Sequence, residues 1–206
     1  MIKRLFDIFF SAIGLLVLAP VLLTIAAIIK FTSDGPVVYR GTRVGKNGIP
    51  FKMFKFRTMV INADRIGGPL VPDSDPRITK VGLYLRKYKL DELPQLLNVL
   101  KGEMSFVGPR PEVQEYVEMY SEEEKAVLSV RPGITDWASL WDSDEGAILA
   151  NSNDPEKTYR EFILPNKLKL QLEYIERHSL WVDLKILILT FIELINKSRA
   201  SSEVLP

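Results

Sequence analysis

Two adjacent carboxylates, Asp91 and Glu92, and an arginine set between prolines, Pro109-Arg110-Pro111, fall within one run, KLDELPQLLNVLKGEMSFVGPRP, from Lys89 to Pro111. Carboxylates serve phosphoryl chemistry as nucleophiles and as magnesium ligands. Arginine suits bidentate phosphate contact, and flanking prolines stiffen the backbone and fix where the cation sits. The pair and the pinned arginine together point to phosphoryl transfer. A plainer reading competes with it, in which Asp91 is an N-cap and Glu92 a first-turn acid favoured by the helix dipole. Both readings need a helix starting at the pair. Pro94 is tolerated in a first turn, Leu93, Leu96, Leu97 and Leu100 recur at helical spacing, and Gly102 follows as a stop.

The elements that position these residues begin with an apolar stretch. From Ile8 to Ile29 about 22 residues carry no charge, enough to cross a bilayer as a helix. A secretory signal has a shorter apolar core and a small-residue cleavage site, so it fits less well. A spanning anchor fits the length, but Lys3, Arg4 and Lys30 put positive charge at both ends, which favours the cytoplasm for both. Pro20, mid-segment, frees a helical hydrogen bond and supplies a break, so the expected form is a re-entrant helix over residues 1–32. A membrane-surface catalytic domain is expected over 33–198, and a disordered tail over 199–206.

Within that domain, Pro36 to Met59 reads as a β-hairpin turning at Asn47-Gly48 through a type I′ turn. Gly41 to Lys46 is one residue short of a P-loop and has Asn47 where Ser or Thr is required, which excludes that site. Lys55 and Arg57 alternate with aromatics on the second strand, a pattern that an ordinary half-exposed face also produces. Asn62 to Pro76 reads as a polar loop long enough for function or mobility, such as a lid. Ile78 to Leu90 reads as a helix with Arg86, Lys87 and Lys89 forming a basic cluster before the acidic pair, where cations attract a diphosphate or simply solvate a face beside a membrane. Ser121 to Glu124 is a capping box. Arg131-Pro132 repeats the stiffened arginine. Asp154-Pro155 opens a long helix towards Arg177. Leu180 to Ile195 is too charged to span and reads as a surface-lying amphipathic helix with Trp181 near the headgroups, with a buried core helix as the rival.

Composition narrows the chemistry. With 206 residues the chain is one domain plus an appendage, and a net charge of +1 gives no general reason to expect nucleic acid. There is no cysteine and one histidine, His178, so disulfides, thiolate metal sites and the usual zinc sites are excluded. A metal here relies on oxygen ligands, which points to Mg2+. The expected fold class is α+β, predominantly helical, with a re-entrant membrane helix, a small hairpin and interfacial helices.

The run LDELPQLLNVLKGEMSFVGPRP, with KFRTM at Lys55 to Met59, DPRITKVG at Asp75 to Gly82, RPGIT at Arg131 to Thr135 and DLK at Asp183 to Lys185, closely resembles the bacterial sugar transferases, monotopic phosphoglycosyl transferases. The resemblance covers nearly the whole chain. It implies a UDP-sugar donor, a polyprenyl (undecaprenyl) phosphate acceptor and work at the cytoplasmic face of the inner membrane, and it leaves a homo-oligomer open. It implies Asp91 as nucleophile, Glu92 as magnesium ligand or proton carrier, Asp91 and Glu92 together as metal ligands, and Arg86, Arg110, Lys55 and Arg131 as phosphate contacts. Arg57, like Lys55, then looks like a phosphate or membrane contact. Two departures stand out. Where the family commonly reads Ile-Thr-Gly-Trp-Ala-Gln, this chain has Ile134-Thr135-Asp136-Trp137-Ala138-Ser139, which bears on sugar specificity, and Gln171 stands where many members carry an acid. Ala19-Pro20 replaces a Ser-Pro pair. A scaffold without chemistry, and a phosphohydrolase passing the same intermediate to water, are the rival functions.

Overall fold

The apolar stretch after Met1 folds as one helix, α1 (Ile2–Thr32), in the computed structural model, which describes residues 1–68, 70–141 and 145–202. It is long and apolar enough to cross a membrane. Pro20 lies inside it and does not divide it into two elements. The Thr24 hydroxyl donates back to Pro20 O at 2.8 Å, a bond that bends helices and adds to the effect of the missing N–H.

Both ends of α1 are fastened to the rest of the chain. Near its start, Arg4 donates to Val99 O at 2.6 Å and Leu100 O at 2.8 Å, and the buried Asp7 carboxylate accepts from Ser105 Oγ at 3.0 Å. Near its end, Ile25 and Ile29 are buried with Phe56 and Leu85. Midway, a Cβ on Gly14 would lie 3.3 Å from Leu96. Elsewhere the helix leaves Leu5, Phe9, Leu16, Val17, Leu23 and Phe31 bare.

The hairpin forms as its sequence dictates. β1 (Val38–Val44) pairs antiparallel with β2 (Pro50–Phe56), with Val44 opposite Pro50 and Val38 opposite Phe56. Asn47 and Gly48 both take positive φ, 57° and 76°, and Lys46 O accepts from Ile49 N–H at 3.2 Å across them, as a type I′ turn requires. β2 buries Met53 on one face and Phe56 on the other, and Lys55 lies on the Met53 face, two residues along the strand.

The helix expected over 78–90 is shorter, α2 (Lys80–Lys87), because the Thr79 side chain accepts from Gly82 N and starts it there. Lys89, at φ 53°, ends the segment and launches a 3₁₀ turn, Leu90–Gln95, that passes into α3 (Leu96–Lys101). Gly102 stops α3 at φ 87°, a conformation glycine adopts without strain. β3 (Ser105–Val107) and β4 (Gly133–Thr135) then pair in parallel, Ser105 opposite Gly133 and Val107 opposite Thr135.

The Ser121–Glu124 capping box is formed in both directions, at 2.7 and 3.2 Å, over a 3₁₀ segment. β4 runs into a short helix, α4 (Trp137–Trp141). The helical path opened by Asp154 passes through a π turn, Tyr159–Ile163, into α5 (Leu164–Arg177). The last helix, α6 (Leu180–Ser202), presents Leu180, Trp181, Leu184, Ile188, Phe191 and Ile192 outward. It continues to Ser202, four residues into the stretch expected as a tail; 203–206 lie outside the described residues. The chain is α+β and mainly helical, as the sequence implies.

Candidate active site

The acidic pair sits on the 3₁₀ turn between α2 and α3. The N-cap position of that turn belongs to Lys89 in a left-handed conformation, and no side chain caps it. Asp91 is therefore inside the turn, which removes the plainer reading of it as a helix cap. The turn runs straight into α3, which is docked on β2 by Asn98, fully buried: its Oδ1 accepts from Phe54 N at 2.9 Å and its Nδ2 donates to Lys52 O at 2.8 Å. A side-chain amide at this position satisfies one donor and one acceptor of the strand edge at once, so the turn cannot slide along the strand.

On the same strand Lys55 reaches Glu92 Oε1 at 2.7 Å. Arg110 arrives from the far side, its Nη2 on Glu92 Oε1 and its Nη1 3.3 Å from Oε2. Arg110 is held in turn by β4: Nη1 donates to Ile134 O at 3.2 Å, and its backbone N–H donates to Asp136 Oδ2 at 3.0 Å. The Gly108–Pro109 segment lies hard against β4, so that a Cβ on Gly133 would come within 2.2 Å of Gly108 N. Only glycine permits that approach, and it is what carries the Pro-Arg-Pro segment to the acidic pair.

The two neighbours differ in electrostatics. Burial works against ionised Glu92, but the Arg110 and Lys55 charges overcome it and hold its carboxyl well below the usual range. Burial pushes Asp91 up from its ordinary value of 3.8; the Lys55 charge pulls it down and the Glu92 charge pushes it up. Asp91 is 7% exposed, and among the described residues no hydrogen-bond donor reaches its carboxylate. One carboxylate is thus fully engaged, while the next has its electron pairs free.

The other expected site residues separate. Arg86 lies near enough to bear on Asp91 by charge, and its Nη2 donates to Val71 O at 3.3 Å. Arg131 is turned elsewhere: its Nε donates to Gly102 O at 2.7 Å and so covers the C-terminal end of α3. Arg57 is buried, and its Nη2 binds Ser33 O and Oγ at 2.9 and 2.6 Å, so this side chain fastens the end of α1. The loop 62–76 is gathered around Arg77, which clasps Asp75 and donates to Ala63 O at 3.0 Å and Leu70 O at 3.3 Å. Sequence reasoning passed over Arg77 and Asn98, although an Asp-Pro-Arg at a loop end is a turn signal of the kind that organises such loops. Asp136, Ser139 and Gln171, noted only as departures, are bonded to one another: Asp136 Oδ1 accepts from Ser139 N and Oγ, both at 2.6 Å, and Oδ2 from Gln171 Nε2 at 2.9 Å.

No group of three or more His, Cys, Asp or Glu side chains suited to a metal ion occurs among the described residues. Magnesium, however, is commonly bound by one or two carboxylates with water and substrate phosphates completing its shell. The uncommitted Asp91 carboxylate beside Glu92 fits an ion that arrives with a diphosphate, and does not fit one held by protein alone.

The structure thus sets a buried carboxylate pair among Lys55, Arg86 and Arg110 on a chain fronted by a helix long and apolar enough to cross a membrane. The bacterial sugar transferase family model matches residues 1–197, and the chain belongs to that family. It is 39% identical over 204 residues to UDP-glucose:undecaprenyl-phosphate glucose-1-phosphate transferase of Escherichia coli (strain K12), covering 96% of this chain and 41% of that protein. It is 37% identical over 192 residues to UDP-N-acetylgalactosamine-undecaprenyl-phosphate N-acetylgalactosaminephosphotransferase of Aeromonas hydrophila, covering 92% and 42%. It is 38% identical over 205 residues to exopolysaccharide production protein ExoY of Rhizobium meliloti (strain 1021), covering 92% and 84%. The chain thus spans under half the length of the first two relatives and most of the third.

Proposed function

We propose that this chain is a phosphoglycosyl transferase that moves a sugar-1-phosphate from a UDP-sugar to polyprenyl (undecaprenyl) phosphate and releases UMP. The observation that carries the reading is the division of labour in the acidic pair, a free Asp91 carboxylate beside a Glu92 held by Lys55 and Arg110. The printed names of the relatives, a UDP-sugar donor and an undecaprenyl-phosphate acceptor in two of them, support the substrate classes.

In the first step an Asp91 oxygen attacks the sugar-bearing phosphorus, and the bond from that phosphorus to the bridging oxygen breaks, so that the oxygen and its electron pair leave as UMP. In the second, an oxygen of the lipid phosphate attacks the same phosphorus, the Asp91–phosphorus bond breaks, and the carboxylate is restored. Neither step requires a proton from the protein, and a Glu92 carboxyl held far below the usual range is poorly suited to supply one. Glu92 instead orients Lys55 and Arg110, whose donors face the charge carried by the transferring group, with Arg86 adding a cation nearby. A magnesium ion bound beside Asp91 would offset diphosphate charge.

The membrane arrangement rests on α1. A helix of 31 residues is about 46 Å long at 1.5 Å per residue, more than the roughly 30 Å of bilayer hydrocarbon. Both its ends are fastened to the same domain, which favours both lying on one side, the cytoplasmic one by the charge of Lys3, Arg4 and Lys30. The bare apolar side chains of α1 and α6 then meet lipid, and the tethered Lys3–Asp183 pair joins the two helices at that surface.

The deciding experiment uses solubilised protein, an accepted UDP-sugar and magnesium, without lipid acceptor. Intact-mass spectrometry should find one added phosphosugar on the peptide containing Asp91, and none on Asp91→Asn. No adduct, together with intersecting double-reciprocal lines when both substrates are varied, would remove Asp91 as nucleophile.

A further inference from the structure

We propose that Asp136 is a positioning residue for Arg110, and that the Asp136–Ser139–Gln171 cluster sets the pose of the site's central cation. The inference rests on the phosphoryl-transfer reading of the Arg110–Glu92 site. Prolines 109 and 111 have no N–H, so the Arg110 N–H is the single backbone donor of the Pro-Arg-Pro segment. Asp136 takes that donor, at 3.0 Å on Oδ2. The same oxygen accepts from Gln171 Nε2 at 2.9 Å, and Oδ1 accepts from Ser139 N and Oγ, both at 2.6 Å.

Asp136 is fully buried, and these four donors fix its carboxylate from three segments: the Pro-Arg-Pro turn, the start of α4 and the middle of α5. Its negative charge also favours the Arg110 guanidinium, next after the charge and hydrogen bond of Glu92. The side-chain bond from Arg110 Nη1 to Ile134 O lies two residues before Asp136, so one strand end grips Arg110 at both its backbone and its tip. The simpler role, capping the short helix α4 through Ser139 N, uses only Oδ1. Oδ2 is left to do something else, and it faces Arg110. Asp136, Ser139 and Gln171, three of the positions at which this chain departs from the resembled pattern, are thereby one bonded unit, in which Gln171 supplies a donor to Asp136 Oδ2.

Two variants separate positioning from capping. Asp136→Ser keeps an N-cap oxygen but is too short to reach Arg110 N, whereas Asp136→Glu keeps a carboxylate able to reach it. In transfer assays Asp136→Ser should lower kcat by about 10- to 100-fold, the scale of a misplaced catalytic group, with donor KM changed little. Asp136→Glu should keep more activity than Asp136→Ser. Hydrogen exchange of the Arg110 amide, isolated between two prolines, should quicken in Asp136→Ser and stay slow in Ser139→Ala. A folded Asp136→Ser with normal kcat, or with unchanged Arg110 exchange, overturns the proposal. Should Asp136→Ser not fold, exchange of Arg110 in the unaltered protein decides, since open-loop rates there would refute the bond. If the unaltered protein transfers no phosphosugar, the functional reading fails by itself, and the exchange comparison still tests the Asp136–Arg110 link.

Discussion

Replacing Lys167 by methionine should destabilise the protein by about 3–5 kcal/mol, the cost of leaving a buried charge without its partner. Lys167 is a buried ammonium whose three neighbours consume its donors: Glu112 Oε1 at 3.0 Å, Glu145 Oε2 at 3.1 Å and the Tyr159 hydroxyl at 3.3 Å. The Lys167 side chain is 6% exposed and Glu112 14%, against 35% for Glu145, so the loss falls mainly on Glu112. Methionine keeps most of the stem packing, which leaves the charge as the difference. At about 2–4 °C per kcal/mol for a chain of this size, Tm should fall by about 6–20 °C in a detergent-solubilised melt. Glu112→Gln in the same background should recover part of the loss, a coupling above about 0.5 kcal/mol. The pH dependence follows from the sign of the shift. Burial disfavours the ammonium, but the Glu112 and Glu145 charges outweigh it and raise its pKa above 10.5. The contribution is thus complete below the unfolded value and is lost as pH rises through the folded one. A Lys167→Met melt within about 2 °C of the unaltered protein would refute the reasoning, because no packing gain from methionine approaches the predicted loss.

The raised pKa of Asp91 should place the acid limb of kcat/KM above the ordinary carboxylate value of 3.8, since the nucleophile must be ionised. Arg86→Gln, which removes a charge that lowers that pKa, should move the limb to higher pH, and a limb that stays or moves down counts against the assignment. Excess EDTA should stop transfer and magnesium restore it; rates indifferent to EDTA would exclude the ion. Cysteines introduced by Ile2→Cys and Asp34→Cys should both be shielded from an impermeant reagent outside intact cells, whereas labelling of the first alone would establish a spanning anchor.

Most elements were legible because their signals are local. The Asn47-Gly48 turn, the Ser121–Glu124 box, the Gly102 stop and the apolar length of α1 each depend on a few consecutive residues, and each forms. The acidic pair was visible for the same reason, but its inner division was not. Nothing in Asp-Glu tells which carboxylate is engaged, because the answer comes from Lys55 on a strand 37 positions earlier and Arg110 on a loop 18 positions later. Arg131 shows that the same local signal can go with a different partner. Its proline-stiffened setting matches that of Arg110, yet its Nε donates to Gly102 O, whereas Arg110 is on Glu92. Asn98 and Arg77 were missed because a single polar side chain in an apolar or loop segment looks like solvent-facing filler until its partners, brought together by the fold, are known.

The membrane helix and the acidic pair are linked through contacts that neither segment reveals alone. Arg4 reaches the carbonyls of Val99 and Leu100, which belong to the helix continuing the Asp91–Glu92 turn, and Ile25 and Ile29 pack on Phe56, the neighbour of Lys55. Arg57, two residues beyond Lys55, holds Ser33 at the end of α1. One end of the apolar helix is thus fastened to the helix that continues the Asp91–Glu92 turn, and the other to the strand that carries Lys55. A helix threaded through the bilayer with its ends on opposite faces would have to surrender one of these attachments, together with either the Arg4 hydrogen bonds or the Ile25–Ile29 packing. In the proposed arrangement, with both ends of α1 on one face, keeping both would hold the acidic pair at a fixed depth relative to the lipid, which is the constraint a site must meet if one substrate comes from water and the other cannot leave the membrane.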